Sequence, residues 1–368
     1  MKHILLVCVI STILLTATCD IQQVSAQSPQ HANPREKQED LAKRYGKAIL
    51  LTNLQEQRKL LAELKKSIEE NDGHGYVYSA REVTLAFDEL DRVLNSSDEA
   101  YAQAKEQQHE ESTAIQYQLH GDLTRAIAHH KTALDMSYVL YGNKSYHSLA
   151  IQTIMANAIF DTGKDLASGI ALLQKTHDEL KSLRMTDGVL FCQTTHGLFV
   201  SYLSTKDYPN AFKYGIQTIE AHKRRQSTDT DEYLQLVALL AKELNKAEQF
   251  KDALTITQSV LDGTHPKAGL EARFSVLICR EYATAKVGLG DYTNVSNTYS
   301  QAIVIANQIP GYPASMRLDL LKAFLSFAKS RDDQSLVRNI EQMIDKIESR
   351  TQPTRSRYSD PPLVDEGD

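Results

Sequence analysis

Apolar residues recur along the chain mostly at spacings of three, four and seven, the signature of helices with one buried face. Leu41, Tyr45, Ile49, Leu54, Leu61, Leu64 and Ile68 predict helix from about Leu41 to Ile68. The segment "NDGHGY", Asn71 to Tyr76, breaks that pattern. "SARE", Ser79 to Glu82, has the form of a capping box, with Val83, Phe87, Leu90 and Leu94 behind it. "SSDE", Ser96 to Glu99, has the same form and opens another long helix. No window alternates as a strand would, so the pattern predicts an all-α protein.

From there the chain repeats itself. The stretches "LHGDLTRAIAHHKTAL", "FDTGKDLASGIALLQKT", "LSTKDYPNAFKYGIQTI", "LNKAEQFKDALTITQSVL" and "GLGDYTNVSNTYSQAI" are each a polar turn followed by an amphipathic helix. Their turn positions are Gly121, Gly163, Lys206, Glu248 and Gly290, separated by 42, 43, 42 and 42 residues, and Asp332 falls 42 further on. Small residues keep the same phase. Ala126, Ala211, Ala253 and Val295 stand five after the turn, Ala133, Thr218, Val260 and Ala302 twelve after it, and Ala114, Ala156, Ala241 and Ala283 seven before it. The second repeat fits if its turn holds one extra residue, which puts Gly169 and Thr176 at the small sites. Two helices can cross closely where such residues meet. Tyr208, Phe250 and Tyr292, two after the turn, are placed to wedge the pair.

The phase resembles the tetratricopeptide repeat, and "GDYTNVSNTYSQA" carries its turn, aromatic and small positions together. The 42-residue period is similar to the longer repeats of kinesin light chains. "YGNKSYHSLA" (His147) and "GTHPKAGLEA" (His265, Pro266) resemble the linkers of those repeats. The resemblance implies a right-handed superhelical α-solenoid of antiparallel helix pairs. It also implies a concave wall, built from the first helix of each pair, that holds a peptide or partner protein. By repeat phase that wall carries Thr153, Asn157, Gln193, His196, Gln235, Lys242, Arg280, Thr284 and Lys322. Asn157 matches the place where many such domains bond a ligand backbone. Lys242, Arg280 and Lys322 would make the later part cationic, which suits a carboxylate or an acidic peptide.

Recurrence also decides what the glycines of "GLGDYTN" are. A phosphate loop needs its glycines, whereas this slot takes Lys206 and Glu248 elsewhere. "FDTGKD" lacks the first glycine and the Ser/Thr of a nucleotide-binding loop, and "HEEST" lacks the second histidine of a zinc-protease motif. His129 and His130 diverge on a helix and read as a surface pair, and "HKRRQ", His222 to Gln226, reads as a basic helix end. Asn95, Asn143 and Asn294 head glycosylation sequons. No residue is assigned a catalytic role, no cofactor motif is present, and the expected partner is a protein or peptide.

Composition changes the picture at the ends. The 368 residues are 42% hydrophobic and 24% charged, with a net charge of −6, which argues against a nucleic-acid binder. Lys2 followed by the apolar run Ile4 to Ala17, with Val24-Ser25-Ala26 before Gln27, reads as a signal peptide over residues 1–26. Secretion or periplasmic export follows, with membrane contact limited to export. Cys19 could instead carry a lipid anchor, although Thr18 fits a lipidation signal poorly. The remaining divisions are a polar linker at 27–38, an N-terminal helical cap or degenerate repeats at 39–96, about six repeats over 97–349, and a disordered tail at 350–368. An oligomerising coil is the other reading of the leucine-rich helices before Ser97. Cys192 and Cys279 lie in apolar helical stretches and are expected as buried free thiols.

Overall fold

The computed structural model describes residues 33–351 apart from 72, 74, 76, 226–229 and 263–269. The expected signal peptide, its cleavage site, Cys19, His74, the His265-Pro266 linker and most of the C-terminal tail lie outside the described residues. Fifteen helices are formed among the described residues, and no strand. None of these helices is long and apolar enough to cross a membrane. The chain divides into two compact units, 1–236 and 237–368.

The first unit opens with α1 (Pro34–Leu50), α2 (Leu54–Glu69) and α3 (Ala80–Leu94). α1 begins inside the stretch read as a linker, because Asn33 caps it and Pro34 occupies the first helical position. The single helix expected over Leu41–Ile68 is two helices. Thr52 takes a left-handed φ of 50°, and the Asn53 side chain accepts from Glu56 N at 3.1 Å. That break carries neither glycine nor proline, and "NLQE" is a capping signal that apolar spacing conceals. The capping box at Ser79 is formed in both directions, Glu82 N to Ser79 Oγ at 3.2 Å and Ser79 N to Glu82 Oε2 at 2.9 Å. The next cap is Ser97 rather than Ser96, whose hydroxyl instead donates to the Val93 carbonyl.

Helix pairs follow: α4 (Asp98–Leu119) with α5 (Leu123–Leu140), α6 (Tyr146–Thr162) with α7 (Leu166–Ser182), and α8 (Val189–Ser204) with α9 (Tyr208–Arg224). α10 (Asp231–Lys246) contains the boundary between the units. In the second unit α11 (Phe250–Leu261) packs on α12 (Leu270–Gly288), α12 on α13 (Val295–Gln308), and α14 (Ala314–Ser330) on α15 (Gln334–Thr351). The all-α architecture of repeated helical hairpins is therefore present in each unit.

The turn is the repeated device. All six turn positions have φ between +54° and +79°. At five of them the turn residue's N–H bonds the carbonyl three back, and the next N–H bonds the carbonyl five back. Asp122 N to Tyr117 O at 2.9 Å and Asp207 N to Tyr202 O at 2.9 Å are examples of the second bond. This is the Schellman closure of a helix C-terminus. The sixth turn, at Gly163, lacks the second bond and holds Lys164 as its extra residue. Asp122, Asp165, Asp207 and Asp333 then accept from a backbone N–H three residues on, which starts the next helix.

The small positions lie at the crossings. Ala114, Ala126, Ala133, Ala156, Thr176, Ala211, Thr218, Ala241, Ala253, Ala283, Val295 and Ala302 are all buried, and so is Gly169. The aromatics act differently from the wedge expected of them. Phe250 packs on Gly288 of α12, where an added Cβ would lie 2.5 Å from the ring. Tyr292 meets Phe327 of α14 at 6.2 Å, so both rings bridge to a following helix. Cys192 and Cys279 are buried free thiols.

The turn geometry predicts opposite effects of one kind of change. A left-handed φ costs an L-residue about 1–2 kcal/mol, partly offset for glycine by its freer unfolded chain. Glu248→Gly is expected to stabilise by up to about 1 kcal/mol, and Gly121→Ala to destabilise by about 1 kcal/mol. Denaturant unfolding measures both, and a neutral Gly121→Ala would show that the left-handed turn is not what selects glycine there.

Candidate functional site

In the first unit the inner helices α4, α6 and α8 are covered by the chain's own α1–α3. Gln57 of α2 exchanges amide hydrogen bonds with Gln108 of α4, at 2.7 and 2.6 Å, and the Ser112 hydroxyl donates to Leu50 O. Glu89 of α3 accepts from Tyr146 N at 2.8 Å and from His147 Nδ1 at 2.8 Å, at the start of α6. Glu82 accepts from Val189 N at 3.0 Å and Leu190 N at 2.9 Å, so one carboxylate caps both its own helix and α8. Arg225, just past α9, donates to Val77 O at 2.7 Å. The N-terminal helices thus lie across three successive inner helices instead of covering the end of the array alone. Between this cover and the packing of the array itself, eleven residues each of α6 and α8 are buried, leaving neither helix a continuous polar face.

The carboxylate of Glu82 is well suited to that place. Helix N-termini present N–H groups without intrahelical partners and carry partial positive charge. Burial pushes the Glu82 pKa up, against the pull of the Leu190, Ser79 and Val189 N–H groups and of Arg225. Arg225 itself came from a segment read as a basic helix end, and its guanidinium is nearly buried. His129 and His130 also part company. His129 pairs with Glu110 at 2.7 Å near the surface, while His130 is fully buried against Gln118. Burial, then the charge of His129, holds the His130 pKa down to about 4, so it stays neutral at neutral pH.

The residues predicted for the concave wall are placed as follows. Thr153 is buried and shares a 3.0 Å hydrogen bond with Thr194 on α8. Asn157 is buried, and neither of its amide atoms has a hydrogen-bond partner among the described residues. Gln193 and His196 are half-buried beside a cavity of about 30 Å³ that Cys192, Arg225 and Glu232 also line, room for about one water. Burial brings the His196 pKa down to about 4. Gln235 is half-buried.

In the second unit Lys242 and Lys322 are exposed, while Arg280 and Thr284 are half-buried. Arg280 Nε donates to Glu281 at 2.8 Å. Asn245 of α10 donates to the Glu281 carbonyl at 2.9 Å and to its carboxylate at 3.0 Å, which ties α10 to α12. Lys322 stands 4.0 Å from Glu348, at the limit of an ion pair. Sequence phase therefore locates these residues on their helices, but it does not reveal which of them the chain itself covers. Glu82 and Arg225 were invisible as partners because their contacts join positions about 110 and 150 residues apart.

No protein-family model and no curated protein matches the chain. Among solved structures it is similar to a variant of a kinesin light chain with nearly identical TPR-like repeats from Podosopora anserina. Identity there is 16%, over 54% of this chain and 92% of that one, with a TM-score of 0.46. It is also similar to a Rap protein complexed with Competence and Sporulation Factor, at 12% identity over 88% of each chain and a TM-score of 0.39. The apo form of RapI is similar at 12% identity, over 88% of this chain and 89% of that one, with a TM-score of 0.42. Each is a likeness of backbone at low identity. The chain's own geometry defines its class: a helical-hairpin repeat protein with 42-residue spacing.

Removing the Glu82 carboxylate leaves the N–H groups of Ser79, Val189 and Leu190 buried without an acceptor. Glu82→Ala is expected to destabilise the first unit by about 3–5 kcal/mol, and Glu82→Gln by less. Thermal unfolding of the two variants measures this, and equal melting of Glu82→Ala and wild type would show that the carboxylate does not fasten α3 to α8.

Proposed function

We propose that this protein is a non-catalytic interaction scaffold that holds an acidic peptide or partner protein on the inner helices of its second unit. The observation that carries this reading is the contrast in what those helices offer. In the first unit α6 and α8 are buried against the chain's own helices. In the second, Lys242 and Lys322 stay exposed on α10 and α14, beside half-buried Arg280 and Thr284 on α12. Cationic side chains on inner helices favour carboxylates, chiefly through encounter rate and specificity. Selection of peptides from a random display library by the full chain is expected to enrich Asp and Glu. The double variant Lys242→Glu, Lys322→Glu is expected to lose that enrichment. Unchanged selection by the variant would refute the cationic wall.

Export belongs to the same reading, supported by the apolar run Ile4 to Ala17 and by Val24-Ser25-Ala26. The intact mass of the protein from its native host is expected to correspond to a Gln27 start. A lipidated Cys19 would turn the reading into an anchored envelope component, and an unprocessed chain would remove export altogether.

A further inference from the structure

Tyr312 sits in the turn "PGYP" between α13 and α14, with Gly311 at a left-handed φ of 68° and Tyr312 N donating to Ile309 O at 3.2 Å. Its side chain is 4% exposed, and its buried hydroxyl has no hydrogen-bond partner among the described residues. The charges of three arginines act on this phenol. Arg317, in the first turn of α14, places its guanidinium 5.9 Å from the ring centroid. Its Nη2 donates to Ala306 O at 3.2 Å, but its Nε is buried with no hydrogen bond among the described residues. The charges of Arg280 and Arg273, both on α12, also act on the phenol. Burial raises the phenol's pKa, the charges of Arg280, Arg317 and Arg273 oppose it in that order, and Asp319 adds to the rise.

The Tyr312 hydroxyl and Arg317 Nε are buried donors with no acceptor among the described residues. A buried phenol O–H and a buried guanidinium N–H are both groups that folded proteins almost always pair. Arg273 makes no ion pair or hydrogen bond among the described residues, and Arg317 makes no ion pair there. The charges also set the kind of acceptor. Glu281 neutralises Arg280 at 2.8 Å, while Arg273 and Arg317 have no ion-pair partner among the described residues. A carboxylate would supply these donors with two acceptor oxygens. Arginine's planar fork matches a carboxylate.

We propose that Arg273, Arg317 and Tyr312 form a binding site for one carboxylate of the partner, with Tyr312 O–H and Arg317 Nε–H as its buried donors. This rests on the scaffold reading above and adds to it a site at the starts of α12 and α14, separate in the sequence from Lys242 and Lys322. The carboxylate is either an Asp or Glu side chain or a chain terminus.

The test uses the full chain and fluorescein-labelled hexaglutamate at low ionic strength, read by anisotropy. Hexaglutamate amidated at its C-terminus and hexaglutamine with a free C-terminus are the comparison probes. Arg317→Gln and Arg273→Gln are each expected to weaken hexaglutamate binding by about tenfold or more, and Tyr312→Phe by about fivefold. Tyr312→Phe should melt no lower than wild type, because it removes an unmet buried donor. A merely structural tyrosine would give the reverse pattern. Arg317→Lys keeps the charge without the fork and should still bind several-fold more weakly. Lys346→Gln, exposed on α15, should bind as wild type does. Binding retained by the amidated probe assigns a side-chain carboxylate, and binding of hexaglutamine assigns a chain terminus; each supports the site. Hexaglutamate binding that survives both arginine-to-glutamine variants but falls with Lys242→Glu, Lys322→Glu would overturn the site and leave the scaffold reading standing. Absence of hexaglutamate binding by wild type, or its displacement by inorganic phosphate more readily than by acetate, would also overturn it.

Discussion

The close crossing of paired helices is the constraint from which the rest of the structure follows. Alanine, glycine and threonine at the crossing let two backbones approach, and the chain must then reverse within two or three residues. A helix ended by a left-handed residue, with the following N–H reaching five back, achieves that reversal. An Asp in the next position accepts a free N–H and starts the second helix. The combination recurs from Gly121-Asp122 to Asp332-Asp333, and where the cap side chain is missing, as at Gln249, the backbone closure persists. The left-handed residue, its bond to the carbonyl three back and the small residues are therefore the constant part; the bond five back is missing at Gly163 and the side-chain cap at Gln249. This explains why lysine, glutamate and aspartate are tolerated in the left-handed slot: several kinds of interaction hold it, so modest strain at one residue does not open the pair.

That redundancy is also why so much of the fold was legible in the sequence. Turn, small position and aromatic are local features with a fixed spacing, and each hairpin repeats them. The extra residue of the second repeat was legible for the same reason, since it shifted Gly169 and Thr176 together. What local spacing could not carry is how the chain covers itself. Glu82 reads as a capping-box glutamate, and it is one, but its carboxylate has a second set of donors at the start of α8. No periodicity announces that. Asn53 was missed because apolar spacing ran unbroken through a helix end. Tyr312 and Arg317 were missed because they lie at a loop and a first turn, outside the repeat positions assigned to the inner wall.

The two units differ in what covers the inner helices of one architecture. Inner helices of a hairpin array have a face that no partner helix of the array buries. In the first unit that face is spent on α1–α3, and α6 and α8 have sequences to match, apolar or small almost all round. In the second unit the inner helices carry lysine, arginine and threonine, residues that stay near solvent unless something polar meets them. A binding reading based on repeat phase alone treats Thr153 and Lys242 as equivalents. Burial separates them.

The charges that fasten α3 pose the last physical question. A buried carboxylate and a buried guanidinium are costly to desolvate, and an apolar contact of the same shape would often be as stable. Their value lies in direction. Glu82 accepts from three converging N–H groups, and Arg225 donates to the Val77 carbonyl. An apolar α3 could slide along the inner helices with little change in buried area, whereas a shift of one turn would leave these groups buried and unpaired. The polar contacts thus select one register for α1–α3 among several of similar apolar burial. The same reasoning applies in reverse to Tyr312 and Arg317: a site with unmet donors is specific for the acceptor that completes it, because any other occupant leaves them unpaired.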